Sequence, residues 1–164
     1  MTLSLRLLAV IAVLGTAFPA HAQGTSVAFG GLKADTSLPV EATADNLVVD
    51  QTDGSAVFSG NVVISQGEMR LAAAVVRIEY AEADKREIRR LLASGGVTLA
   101  SGADAAEAED AIYTIASGEV ILTGNVLLTQ GSNTLTGQKL TVDLTTGTGR
   151  MDGRVHTVLQ PSGN

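Results

Sequence analysis

The sequence predicts an all-β protein built from repeats, and three observations support this fold class. Glycine is abundant, with 18 residues against only 3 prolines, and Val, Leu and Thr are frequent, which is typical of strands joined by tight turns. One stretch of the chain recurs 64 positions later, as in proteins made of stacked structural units. Apolar and polar residues alternate along each copy, which indicates strands with one buried face.

The first 22 residues have the pattern of an export signal. Arg6 precedes an apolar run at positions 7–14, and Ala20-His21-Ala22 has the small-x-small form of a cleavage site. The run is shorter than the roughly 20 apolar residues that a membrane-spanning helix needs. We therefore expect cleavage after Ala22 and an exported mature chain, whose compartment, the periplasm, is implied only by the family resemblance given below.

The mature chain has the size of one domain. It has 142 residues, no cysteine, and 10 Lys and Arg against 17 Asp and Glu, which gives a net charge of −7. Without cysteine, neither a lipoprotein anchor nor a disulfide is expected. We predict a flexible leader over 23–38, a single β domain over 39–160 and a short tail over 161–164.

Charge and composition exclude several classes of binding protein. Nucleic-acid binding depends on Lys and Arg that neutralise phosphates, so the acidic balance disfavours it. Aromatic residues are 3% of the chain and Trp is absent, which removes the stacking surfaces of single-strand binders and of many sugar-binding clefts.

The repeat consists of two strands per unit. The run VFSGNVVISQG at 57–67 aligns with ILTGNVLLTQG at 121–131, and weaker copies lie at 94–99 and 152–157. A second strand follows in each full unit, since 76–80 aligns with 140–144 and 47–50 resembles both. Such units cannot bury an apolar face alone and must stack. The signature glycines of the copies are Gly60, Gly95, Gly124 and Gly153.

Alternation identifies the buried face. The opposite face is mostly polar, with Val63 and Leu127 as exceptions. The signature glycine shares the buried parity, which predicts a bend or bulge in each long strand and a strongly curved sheet. The buried set is Ala56, Phe58, Val62, Ile64, Leu91, Ala93, Val97, Leu99, Val120, Leu122, Val126, Leu128, Met151 and Val155.

About eight long strands follow from these patterns, each able to split in two at its bend. Two Ala- and Glu-rich stretches, 81–90 and 103–111, have helix-forming composition, but their place in the repeat favours a strand and turn for the first and makes the second the weakest strand. Short turns are expected at residues 53–54, 67–68, 117–118, 131–132 and 146–147. The strands are expected near 44–51, 55–66, 69–80, 86–101, 106–116, 118–130, 133–144 and 149–159.

The repeated segments resemble a known family. SGNVVISQG at 59–67 and TGNVLLTQG at 123–131 are similar to the T-G-N-V-x-I-x-Q-G repeat of the OstA-like, or LptA, family, and the similarity extends over roughly residues 35–162. The resemblance implies a twisted antiparallel β-jellyroll, open at both ends, whose apolar interior holds the acyl chains of lipopolysaccharide. It also implies a periplasmic bridge protein that carries lipopolysaccharide from the inner to the outer membrane.

The buried parity and the resemblance together suggest a lipid-binding groove. Ordinary core packing would bury the same residues, so the pattern alone leaves core and groove open. A smooth lining of Val, Leu and Ile suits flexible chains, because each buried CH₂ is worth about 0.8 kcal/mol without any polar contact. The predicted groove-lining residues are Phe58, Val62, Ile64, Val97, Leu99, Leu122, Val126, Leu128, Val142 and Val155.

The expected partners follow from the same resemblance. We expect lipopolysaccharide as ligand, head-to-tail self-association, and strand addition to the inner-membrane-anchored and outer-membrane components of the transport machinery. The sheet edges near 40–51 and 149–159 have no recognisable cap, which favours such pairing. No nucleic acid, cofactor or metal is expected.

Residues that could carry chemistry fit simpler roles. Asp50 and Asp143 recur at strand ends, where a carboxylate is usually a turn residue, and His156 is the single histidine of the mature chain, too few for a histidine-pair metal site or a catalytic triad. A basic run alternates with acidic residues and is expected to be a solvated face rather than a headgroup site. Its members are Lys85, Arg86, Arg89 and Arg90.

Two other functions compete with the carrier. A parallel β-helix polysaccharide enzyme shares glycine-rich repeats but needs clustered acids and a longer chain. A polymerising structural β-solenoid without a lipid ligand would use the same apolar core, so the sequence leaves it open. We expect no enzymatic activity, and no P-loop signature is found that would power transport.

Overall fold

The chain folds into an antiparallel β-jellyroll. The computed structural model describes residues 25–28, 32–50, 52, 54–82 and 87–160, and for 25–28 the backbone alone. Those residues form strands and turns without a helix. The export signal with its cleavage site, and the tail over 161–164, lie outside this part of the chain. The strands are β1 Thr25–Ala28, β2 Glu41–Thr43, β3 Asn46–Val49, β4 Ala56–Gln66, β5 Met69–Tyr80, β6 Ile88–Ser101, β7 Asp104–Thr114, β8 Glu119–Gln130, β9 Asn133–Asp143, β10 Thr148–Asp152 and β11 His156–Val158.

The strands follow one another across a single sheet. Its order is β1-β10-β9-β8-β7-β6-β5-β4-β2, with β3 also paired to β4 and β11 also paired to β9. The sheet does not close on itself. The last predicted strand, 149–159, is split in two as β10 and β11, whereas the first, 44–51, corresponds to β3, and β2 precedes its predicted start. The fragments β2 and β3 pair with different parts of β4, and β10 and β11 pair with different parts of β9.

A line of β-bulges bends the sheet across its middle. The register shifts by one residue between Ser59 and Val62, and equivalent shifts occur in each neighbouring pair of long strands through β9. Bulges bend a strand and increase its twist. The long strands therefore fold over at the same level, and the prediction of a strongly curved sheet is confirmed.

Pairs of residues with left-handed backbone form these bulges. Gly60 and Asn61 have φ of 79° and 47°, Gly124 and Asn125 have 84° and 45°, and the same conformation recurs at the other two signature glycines, Gly95 and Gly153. Glycine adopts positive φ at no steric cost, and asparagine tolerates it better than most side chains. The predicted bends are thus confirmed at all four glycines, while the second left-handed residue was not predicted.

The bend divides the sheet into two halves whose inner faces pack on each other in one cluster. Half A lies on the side of the turn between β9 and β10, and half B on the side of the turn between β4 and β5. Half A consists of residues 56–59, 75–80, 88–94, 110–114, 119–123 and 139–143. Half B consists of residues 62–66, 69–73, 97–101, 104–108, 126–130 and 133–137.

The amino-terminal segment differs from the flexible leader expected over 23–38. Backbone of β1 pairs with β10, and Leu32 is fully buried against the core. The N–H of Ala34 donates to the carbonyl of Leu144 at 2.9 Å. No local pattern in the sequence of this segment reveals one buried leucine with distant partners.

The two predicted open edges differ from each other. In the described part of the chain, β2 and β3 pair on one side with β4, so their other side is open as predicted. At the opposite end β11 pairs with β9 alone, but β10 is covered by β1. The prediction of an open edge over 149–159 is therefore wrong for β10, because a strand from the segment expected to be flexible pairs with it.

Candidate lipid-binding interior

The space between the two halves is lined by apolar side chains from every long strand. Val62, Ile64, Val97 and Leu99 come from half B, and Leu122 comes from half A. Strand alternation places them on the inner face, since residues two apart point the same way. The predicted groove-lining residues Val62, Ile64, Val97, Leu99, Leu122, Val126, Leu128 and Val142 are each at most 2% exposed.

The other two predicted lining residues lie toward the ends of the cluster. Phe58 and Val155 are half-buried and pack against the same core. All ten predicted residues are therefore brought together, as the alternation predicts. Their contact with lipid is a separate matter and stays a prediction.

The interior continues to an open end at β3. Leu47 and Val49 pair with the inward-facing Phe58 and Ala56, so they belong to the inner face. They are nevertheless 53% and 59% exposed, because no further strand covers them among the residues described. The apolar surface of the interior thus reaches solvent at this edge.

Polar side chains line the mouth of the interior, which we define as the side opposite the bend, where the strand ends of the two halves meet. Gln66, Ser101 and Asp104 are buried there at strand ends of half B. The amide of Gln130 donates to Asp104 at 2.9 Å. Each buried polar side-chain atom among the described residues has a hydrogen-bond partner. Deeper in the interior the buried side chains are apolar, which suits a hydrocarbon ligand.

One hydrogen bond joins the two halves across the mouth. The hydroxyl of Tyr113, on half A, donates to Oε1 of Gln66, on half B, at 2.5 Å. Burial raises the pKa of Tyr113 to about 12, because the phenolate would lose its hydration. Sequence reasoning missed both residues; a signal was present, since each polar side chain occupies the apolar parity of its strand.

Residues 32–38, which we call the strap, run along this mouth. The Gln66 amide donates to the carbonyls of Thr36 and Leu38 at 2.9 and 2.8 Å, and the Ser101 hydroxyl donates to that of Lys33 at 3.2 Å. These partners are strand-end residues of half B, whereas Leu144, the partner of Ala34, follows β9 in half A. The strap therefore contacts both halves.

The acidic residues at strand ends have the turn roles that we expected. Asp50 accepts from the N–H of Thr52 at 2.7 Å. Asp143 accepts from the N–H groups of Thr145 and Thr146 at 2.8 and 3.1 Å, and the bond from Thr146 contributes most to lowering the pKa of that carboxyl. The described residues hold no group of three or more His, Asp or Glu suited to a metal ion. His156 is exposed on β11.

Two members of the basic run form ion pairs. Arg89 and Arg90 both bind Glu79 on the neighbouring strand, at 2.7 and 2.6 Å. The hydrogen bond from Arg90 contributes most to lowering the pKa of the Glu79 carboxyl, Arg89 lowers it further, and burial opposes both. Lys85 and Arg86 lie outside the described residues.

Comparison with known proteins agrees with this architecture. Residues 41–148 match the model of the LptA/(LptD N-terminal domain) LPS transport protein family. The chain belongs to this family. An uncharacterized protein of Rhizobium meliloti (strain 1021) is 32% identical over 171 aligned positions, which cover 95% of this chain and 92% of that protein.

A solved structure has the same fold. LptH from Pseudomonas aeruginosa, described as the LptA-homologous periplasmic component of the lipopolysaccharide transport device, superimposes with a TM-score of 0.69. The superposition covers 78% of this chain and 99% of LptH at 20% identity. Family membership and fold thus confirm the resemblance on which the sequence interpretation rests. Among the described residues, none belongs to a helix long and apolar enough to span a membrane.

Proposed function

We propose that this protein is a non-catalytic periplasmic carrier of lipopolysaccharide, which binds the acyl chains between the two halves of the jellyroll. The observation that supports this most directly is the continuous apolar interior, which extends from half-buried Val155 to exposed Leu47 at the open edge. From β10 to β2 the main order has eight strands, which, spaced by about 4.8 Å, give the interior a length of roughly 34 Å.

Burial provides the energy for binding. About a dozen CH₂ groups moved from water into the interior contribute roughly 10 kcal/mol per acyl chain before the costs of ordering and of opening the fold. No catalytic group is needed for this step.

The exposed inner-face residues at β3 favour a second role for that edge, since an added strand would cover Leu47 and Val49 and continue the apolar surface.

On this proposal, copies of the protein stack end to end and join the inner-membrane and outer-membrane parts of the transport machinery. Lipopolysaccharide then moves along one apolar path. Direction requires energy from an ATP-driven partner.

Mass spectrometry of lipids extracted from the protein, purified from the periplasm without denaturation, tests the carrier function. We expect lipid A fatty acids to co-purify in near-stoichiometric amounts. A matched periplasmic protein of the same net charge, purified in parallel, controls for contamination. Protein that assembles into filaments and carries no lipid would instead support the polymerising structural solenoid.

A further inference from the structure

The strap covers the mouth of the apolar interior. Leu32 is fully buried in the hydrophobic core, so its side chain fills part of the apolar interior. The inner-face side chains of both halves already pack on each other around it. Acyl chains therefore need the halves to separate before they can enter.

Separation is easiest at the mouth. On the other side, the covalent chain of each long strand passes through the bend and joins the halves directly. At the mouth, contacts given by the described residues are side-chain bonds from Gln66 and Ser101 to strap carbonyls, the Tyr113–Gln66 bond, and the main-chain bond of Ala34. Elements with few hydrogen bonds open at lower free-energy cost than paired strands.

From this difference we infer that the strap is a releasable closure of the lipid-binding interior, and that Leu32 is displaced when an acyl chain binds. The inference rests on the proposed carrier function and adds a gating step to it. Gln66 has the central position, because it holds the strap with its amide nitrogen and half A with its amide oxygen. When the strap is released, the Gln66 side chain loses the two carbonyls that hold its amide nitrogen, and the bond between its oxygen and Tyr113 is no longer fixed in place.

A cross-link between the strap and half A tests the inference. The Thr36 and Thr145 side chains approach the same point beside Gly118, at 3.2 and 2.7 Å from where a Cβ would stand there. The chain has no cysteine, so the double variant Thr36→Cys, Thr145→Cys has one reactive pair, which can be bridged by a short bis-maleimide. The control is Thr145→Cys alone, treated with the same reagent.

The measurement is the rate at which the purified protein captures lipopolysaccharide from detergent micelles. We expect the bridged protein to capture it at least ten-fold more slowly than the unbridged double variant and the control. Equal rates in bridged and unbridged protein would overturn the strap inference while leaving the carrier function supported. No capture by any form, including wild type, would overturn the carrier function itself.

A second variant weakens the closure instead of fixing it. Leu32→Ala removes the side chain that occupies the interior, so capture should become several-fold faster while the β-sheet circular dichroism stays unchanged. Leu159→Ala, the same change at a leucine that is 69% exposed and lies outside the strap, is the matched control and should leave the rate near that of wild type. A folded Leu32→Ala protein with an unchanged or slower rate would contradict displacement of Leu32.

Discussion

The side-chain amide of Asn125, a residue with left-handed backbone on β8, donates to Oε1 of Glu109 on β7 at 2.6 Å. Asn61 makes the equivalent bond to Asp45 at 2.8 Å. Each bond joins the second left-handed residue of a bulge to a carboxylate beside it, which belongs to β7 for Glu109 and to the bend between β2 and β3 for Asp45. The bond therefore helps to hold the bend at which the two halves meet.

Gly124 and Gly96 provide a matched test of the close approach at the bend. Both have positive φ, 84° and 86°, so an alanine at either position carries a similar backbone penalty, about 1–2 kcal/mol. A Cβ at Gly124 would lie 2.8 Å from the Cβ of Glu109, whereas nothing lies within 4 Å of one at Gly96. Gly124→Ala should therefore lower the free energy of unfolding more than Gly96→Ala, as measured by urea denaturation. Equal losses of unfolding free energy would show that the left-handed backbone alone, and not the close approach of Glu109, requires a glycine at position 124.

Leu128 and Leu127 test which side of the sheet is the core. Leu128 is fully buried on the inner face, and the adjacent Leu127 is half-buried on the outer face. Leu128→Ala should cost roughly 2–5 kcal/mol of stability, as for close-packed leucines, and Leu127→Ala less than about half of that. If the interior were partly open before lipid binds, the Leu128→Ala cost would fall to that of Leu127→Ala.

Local sequence patterns were enough to predict the sheet. Alternation has a period of two residues and glycine marks each bulge, so both features can be recognised within one strand, and Ala56 through Leu128 were assigned to the correct face. Even the weak strand at 103–111 is present as part of β7. The position of the bend was predictable because the same glycine-containing bulge recurs at Gly60, Gly95 and Gly124.

The strap was not predictable in the same way. Its partners Gln66 and Ser101 are 30 and 68 residues away in sequence from the carbonyls that they bind, and no local periodicity records such a contact. For Tyr113 and Gln66, a polar side chain at an apolar position of each strand was a local signal, but it does not reveal that the two side chains bond to each other. Only the folded chain brings them together.

Tyr113 should make the protein sensitive to alkali. Its pKa in the folded state is raised to about 12, whereas an exposed tyrosine titrates near pH 10. The unfolded state therefore loses the proton first, and stability falls as the pH rises through this range, by at most about 1.4 kcal/mol per pH unit. Tyr113→Phe removes this titration. The stability difference between the two proteins should be constant below pH 9 and shrink between pH 10 and 12. A constant difference up to pH 12 would contradict burial of the hydroxyl.

The exposed inner-face residues of β3 should control self-association. Leu47→Lys places a charge at the open edge, where it would have to be desolvated in a stacked pair of molecules, and should weaken association at least five-fold in analytical ultracentrifugation. Ile112→Lys is the control, because Ile112 is also an exposed apolar residue, at 36%, but lies in the middle of the sheet on the outer face. If both variants weaken association equally, general charge rather than the edge is responsible.

Photo-crosslinking tests whether lipid lies on the inner face. A photoreactive amino acid at Phe58 or Val155 should capture lipopolysaccharide in the periplasm, because both side chains pack against the interior core. Ser65 and Thr129 are the matched controls. Like Phe58 and Val155 they are half-buried, but their side chains lie on the outer face of β4 and β8. Thermal unfolding of each variant must be recorded beside capture, since a misfolded protein would expose both faces to lipid. Capture from the outer positions as strong as from the inner ones, in folded protein, would remove the interior as the binding site and leave the jellyroll a structural element.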